Sequence, residues 1–325
     1  MPFPEGKEQL VLNSILHPDS TIKVSLTKTL PLGTTGSGFP VVDNAEIRLY
    51  EDDLLVGMPA YQDSIYILEY LPKAGKEYSI EVEVPGFATL KASDVVPNKA
   101  DASICFEEDT LGRYNFSAFD ILHVNIVDKA DEENAYWIDG LRTIPEHPCR
   151  FKPDSIVRDG LERYVIEFDT IVCPSGEEPT FIMIKHSGFV TYSEVPDRFN
   201  ASIDNLWDGV SSFRYYMRIE DSQHDGGLIS FDMGIDNFDD YLTKYQAIHD
   251  SLLQQINVKS ASQHYDRYLK SSISHLLSRD NYADEDFDFY PFAEIVQSYS
   301  NVENGTGIFA AYNSTTFEIG DYPCQ

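Results

Sequence analysis

From Gln9 to Pro97 apolar and polar side chains alternate with a period of two, the pattern of strands that bury one face. Leu10 to Leu16 is the first such run. A turn cluster, His17-Pro-Asp-Ser20, separates it from a second alternating run, Thr21 to Thr27. Gly33 to Pro40 reads as a loop; with no Lys and no following helix it lacks what a phosphate-cradling loop needs. Val41 to Tyr50 places Ala45, Ile47 and Leu49 on one face. Ser64 to Tyr70 follows, and Leu71 to Lys76 turns the chain into Glu77 to Val84, where Tyr78, Ile80, Val82 and Val84 oppose Glu81 and Glu83. Ala88 to Val96 ends the series, and Pro97 to Asp101 reads as a linker. Strands at roughly ten-residue spacing predict a first domain over 1–98, an immunoglobulin-like or transthyretin-like β-sandwich.

The region 99–325 predicts a larger β-sandwich domain with one or two helices, making the whole chain all-β in class. Its expected strands are Phe119 to Val127, Ala135 to Ile144, Arg163 to Val172, Thr180 to Ile184, Phe213 to Ile219 and Gly227 to Met233. Between Asp239 and Lys259 two readings stand. Tyr241, Tyr245, Ile248 and Leu252 have helical spacing, whereas Leu252 to Val258 also reads as a strand. Over Ser262 to Arg279 the spacing predicts a helix. Ser262 is its N-cap, and Tyr265, Leu269, Ile273, Leu276 and Leu277 form one apolar stripe. A fold-closing segment follows: an extended arm from Phe289, a polar turn over Asn301 to Gly307, and a last apolar strand from Ile308. Asn304-Gly305 and Gly307 are expected to supply the positive φ of that turn.

Charge changes the picture more than composition does. With 24 Lys and Arg against 54 Asp and Glu, the formal net charge of −30 leaves no cationic footprint for nucleic acid or for anionic membranes. A strongly solvated surface is the plain consequence. No run approaches the roughly 20 apolar residues of a membrane helix. The opening Met1 to Gly6 lacks the basic head and apolar segment of a signal peptide.

Four cysteines, Cys105, Cys149, Cys173 and Cys324, are spaced too widely for zinc-ribbon or thioredoxin chemistry. In an exported protein two bridges have three possible pairings, of which Cys149 with Cys173 and Cys105 with Cys324 is preferred only because the first closes the shorter loop; the alternative is free buried thiols. The eight histidines form no metal-ligand spacing, and no G-x-S-x-G elbow exposes a nucleophile. No catalytic or cofactor-binding residue is therefore assigned. Calcium is the one cofactor with a candidate site, the D-x-D-x-D stretch Asp284, Asp286 and Asp288. Phe289 there replaces the loop glycine and Ile295 the bidentate glutamate. Tyr290, Tyr299 and Tyr312 are candidates for an aromatic interaction surface.

Several stretches resemble a Bacteroidota envelope family known as domain of unknown function 4249. Leu10-Val-Leu-Asn-Ser14, Val24 to Thr29, Val42 to Leu49, Ala74 to Val82 and Asp94-Val-Val-Pro97 resemble its first domain. Val127 to Tyr136 resembles its acidic turn, with Ala135 departing from the usual tyrosine. Ser262 to Ser271, Pro291-Phe-Ala-Glu294 and Tyr299 to Phe309 resemble its tail signature, with mild departures at Thr306 and Ala310. Residues 185–250 resemble nothing that names a function. The resemblance implies an outer-membrane lipoprotein, exported and lipid-anchored through a cysteine ahead of residue 1. It implies a partner, an outer-membrane β-barrel such as a TonB-dependent, starch-utilisation-type transporter, and no enzymatic residues. It also favours the strand over Leu252 to Val258. Ser20, Ser64, Thr110, Ser155, Thr170 and Ser251 each follow Asp in a pattern that resembles the O-glycosylation acceptor of that phylum. The expectation is a non-enzymatic accessory or binding subunit. Its rivals are an independent glycan- or peptide-binding module and a hydrolase with an unrecognised site.

Overall fold

A computed structural model describes residues 8–30, 39–108, 118–130, 132, 135–145, 150–158, 164–172, 181–185, 188–191, 193–197, 201–202, 211–214, 216–220, 226–236, 253–280, 298–318 and 324. The chain is all-β and sandwich-like, with one helix among the described residues. It divides into two compact units, one of 1–100, 133–135 and 259–314 and the other of 101–132, 136–258 and 315–325. The return of 259–314 to the first unit has a physical reason in β-pairing, described next.

The first unit contains β1 (Leu10–Leu16), β2 (Ile22–Lys28), β3 (Glu46–Glu51), β4 (Leu54–Gly57), β5 (Ala60–Gln62), β6 (Ile65–Leu68), β7 (Glu77–Glu83) and β8 (Leu90–Val95). The second contains β9 (Asp101–Glu108), β10 (Ala118–Val127), β11 (Ala135–Pro145), β12 (Arg150–Arg158), β13 (Tyr164–Val172), β14 (Phe181–Lys185), β15 (Gly188–Thr191), β16 (Ala201–Ser202), β17 (Ser211–Arg214), β18 (Met217–Glu220) and β19 (Leu228–Asp236), apart from the first residue of β11. The chain then passes back through β20 (Leu253–Ala261) into α1 (Gln263–Asp280), and leaves again through β21 (Thr306–Glu318).

In the first unit β21 lies parallel to β1, Val11 to Leu16 pairing with Thr306 to Ala311. The sheet continues in the order β21-β1-β2-β6-β5, and a second sheet runs β4-β3-β7-β8. Leu10, Leu12, Val24, Leu26, Ile47, Leu49, Tyr78, Ile80, Val82 and Phe309 fill the space between them. All are nearly inaccessible, and such side chains each contribute about 1.5–3 kcal/mol by burial. Without β21 the edge of β1 would lose six paired residues, so a distant segment completes this core.

Two hairpins turn on two residues each, Asp52-Asp53 between β3 and β4 and Asp63-Ser64 between β5 and β6. All four have positive φ, as a turn matching the strand twist requires. In the closing turn Asn304 (φ 60°) and Gly307 (φ 113°) are left-handed, as expected, but Gly305 is not. Gly305 is needed for space instead: a Cβ there would sit 2.7 Å from Leu90 and 2.8 Å from the Leu10 carbonyl.

The second unit holds a sheet of order β16-β17-β15-β19-β10-β9, a β12-β13 hairpin, and a β14-β11-β20 ladder with β18 also on β11. The single strand expected over Phe213 to Ile219 is two: β17 pairs with β15, and β18 joins β11. Tyr216, at the break, meets buried Trp137 edge-on at 5.8 Å. Over 253–261 the strand reading holds, whereas Tyr241, Tyr245 and Ile248 lie outside the described residues.

Candidate functional site

The tail residues converge on one buried node in the first unit. Ser262 caps α1: its Oγ accepts the Tyr265 N–H at 3.1 Å, and its carbonyl accepts the Asp266 N–H at 2.9 Å. The same hydroxyl donates to the carboxylate of Asp94 on β8, which also accepts the Ala311 N–H of β21 at 2.8 Å. Asp94 and Ser262 are both buried. Burial pushes the Asp94 pKa up to about 7 against the hydrogen bonds from Ser262, Val95 and Ala311. Asn301 adds a second clamp. It accepts the Phe309 N–H at 3.0 Å, and its amide donates to the Phe309 carbonyl at 2.7 Å and to the Ser93 carbonyl at 3.3 Å. Helix, β8 and β21 are thus tied through three side chains. The Ser262 hydroxyl is spent on a cap and a carboxylate, so its chemistry here is structural.

A groove of about 610 Å³ opens beside this node, lined by Tyr50, Asp53, Glu81, Lys91, Ser93, His264, Asn301 and Glu303 among others. Strand register explains its shape. Tyr50, Ser79 and Ser93 are neighbours in one row across β3, β7 and β8, and Arg48, Glu81 and Lys91 form the next. Serines in the middle of the first row leave a trough between Tyr50 and the wall made by α1 and 301–303. Lys91 donates to Glu81 at 2.5 Å, and Tyr50 donates to the other oxygen of Glu81 at 3.3 Å. At the far wall the His264 ring is stacked with Tyr299, Nδ1 lying 2.7 Å from the phenol oxygen. Burial and the nearby Arg267 lower the His264 pKa, so the ring is neutral at pH 7.

The second unit has polar clusters of a different kind. His123 on β10 has Asp232 at 2.6 Å on Nδ1 and Glu107 at 3.1 Å on Nε2. Burial works against its charge, but the two carboxylates outweigh it and raise the pKa. Both ring nitrogens are engaged, so this histidine has none left to activate a nucleophile, and the carboxylates lie on opposite sides of the ring rather than around one ion. Buried Arg218 pairs with Asp197 at 2.7 Å and Glu220 at 3.4 Å. Buried Asp128 accepts from Tyr136 at 2.7 Å and from the Gly226 N–H at 2.9 Å. Among the described residues no three His, Cys, Asp or Glu side chains are grouped to hold a metal.

Cys105 and Cys324 form a disulfide in the second unit, with Cα atoms 5.0 Å apart. Cys149 and Cys173 lie outside the described residues, as do Asp284, Asp286, Asp288, Tyr290, Thr110 and Ser251. Tyr299 is half-buried against His264. Tyr312 is half-buried too, stacked on Tyr265 at 4.9 Å and tilted against His17 at 4.7 Å, with the Lys259 ammonium 5.1 Å from its centre. Ser20 and Ser64 are exposed in turns, whereas Ser155 and Thr170 lie on β12 and β13. The sequence reading found Ser262 but not its partner Asp94, 168 positions away. Nor did it find the groove or the His123 cluster, because neither leaves a local motif.

A family model described as a domain of unknown function (DUF4249) matches residues 1–318. No curated protein and no solved structure matches the chain.

Proposed function

The chain belongs to the family described as a domain of unknown function (DUF4249), and from that premise we propose that it is a non-enzymatic accessory subunit of an outer-membrane β-barrel. In this reading it is exported in a Bacteroidota cell, held at the outer membrane by a lipid anchor, and docked on a TonB-dependent transporter of the starch-utilisation type. The observation that carries the reading is the use made of the tail motif. Ser262, Asn301 and Phe309 bind Asp94, Ser93 and one another, holding a β-sandwich together rather than gathering around a reacting group. The Cys105–Cys324 disulfide supports an oxidising compartment, since thiols in a reducing cytosol stay reduced. A net charge of −30 supports anchoring by lipid rather than by surface attraction.

Capture of the full-length native protein from solubilised membranes tests this. A β-barrel is expected to travel with it; recovery only as a free soluble monomer would contradict the reading. A second reading, an independent binding module for glycans or peptides, is favoured by the groove across β3, β7 and β8. Calorimetry with free glycans separates the two, because a docking subunit binds no free glycan tightly.

A further inference from the structure

The groove has a built shape, set by strand register. Its floor crosses three strands, a span of about 10 Å, which is the length of about three extended residues. One long wall is the Glu81–Lys91 pair, already neutral by itself, with the Tyr50 hydroxyl completing the bonding of Glu81. Asp53 and Glu303 have no salt bridge among the described residues, although Lys91, already paired with Glu81, lies close enough to feel the Glu303 charge. Lined by three carboxylates and one committed ammonium, the groove is negative by two charges in a chain of net charge −30. The neutral His264 adds nothing to offset this. An anionic ligand is therefore repelled, and a cation is drawn in. Tyr50 supplies an aromatic side chain of the kind that guanidinium and ammonium groups favour. A volume of about 610 Å³ exceeds what a simple amine fills.

We propose that this groove binds an extended segment of a partner protein that carries lysine or arginine, its basic side chain neutralised by Asp53 and Glu303. The segment lies over the small Ser79 and Ser93, with Tyr50 and His264 at its two ends. The inference deepens the docking reading and rests on it for the source of the segment.

The probe is a blocked peptide, Gly-Lys-Gly-Arg-Gly, titrated into the whole chain by calorimetry beside its neutral counterpart Gly-Gln-Gly-Gln-Gly. The double variant Asp53→Asn, Glu303→Gln removes the two charges with little risk to folding. Asn tolerates the left-handed backbone of position 53 (φ 64°), and Glu303 is exposed. A control, Asp19→Asn with Glu69→Gln, removes two exposed carboxylates elsewhere. Expected are one peptide per chain, affinity lower by about tenfold in the groove variant, and a change within about twofold in the control. Equal losses in both variants would overturn the proposal, since the general field would then do the binding. So would absence of peptide binding, equal binding of the neutral peptide, or displacement by a neutral hexasaccharide such as maltohexaose. The docking reading fails separately: if the β-barrel is captured equally with wild-type and groove variant, only the groove assignment falls, and if it is captured with neither, the docking reading falls.

Discussion

The two units solve the same problem, closing β-sheets in a very acidic chain, by different means. The first relies on a continuous apolar core and on a far segment, β21, laid against β1 with Asp94, Ser262 and Asn301 fastening it. The second is stitched at separate points: a disulfide joins Cys105 to Cys324, Glu107 and Asp232 flank His123, and Arg218 reaches two carboxylates. The difference teaches that one should answer mainly to packing and the other to redox state and charge. Tryptophan makes the contrast measurable, because buried Trp137 belongs to the second unit. Its fluorescence follows that unit, while circular dichroism follows both.

The largest expected effect is on the second unit. Replacing Cys105 and Cys324 by Ser should cost about 3–5 kcal/mol, since the bridge closes a loop of 219 residues. The tryptophan transition in urea should move and the remaining transition should not. Coincident shifts would break the comparison.

Next is Gly307→Ala in the first unit. An added Cβ would lie 2.0 Å from the Leu12 carbonyl oxygen at a φ of 113°. Strain and overlap together should cost about 3 kcal/mol or more. Here the circular-dichroism transition should fall while the tryptophan transition stays.

Asp94→Ala should cost about 2 kcal/mol, because the Ala311 N–H and the Ser262 hydroxyl lose a buried acceptor. Asp94→Asn keeps an acceptor and sharpens the argument through pH. The folded chain holds the Asp94 proton up to about 7, against an ordinary value of 3.8. Its contribution to stability is therefore full below pH 3.8 and is lost as pH rises through about 7. The first unit of the Asn variant should show a flatter profile across that window.

The smallest effect is His123→Gln. The raised pKa of His123 gives stability that is full below its ordinary 6.5 and lost as pH rises above it. With partners about half exposed, the expected change is about 0.5 kcal/mol or less. It should show as a reduced slope in the tryptophan transition above pH 6.5.

Period-two patterning made the first sandwich legible almost residue by residue, because each strand there has one wet face: Tyr78, Ile80 and Val82 are buried as expected. The Ser262 cap was equally local. Short edge strands such as β4 and β5 were not legible, since Leu54, Leu55 and Tyr61 are exposed and carry no alternation. The return of 259–314 to the first unit depends on a parallel ladder between residues nearly the whole chain apart. The groove depends on register across three strands and on a histidine from α1, and no single stretch encodes either. Family-like residues were visible as a pattern; that several of them are clamps emerged only from their hydrogen bonds.

The most direct test of the central claim, that this chain works by offering surfaces to a membrane partner, is the mass of the intact particle released from native membranes in mild detergent. The account predicts one dominant species whose mass equals this chain plus a β-barrel in fixed ratio, dissociating on denaturation. A particle with the mass of the lipidated chain alone, at every detergent concentration that leaves other outer-membrane complexes whole, would contradict it.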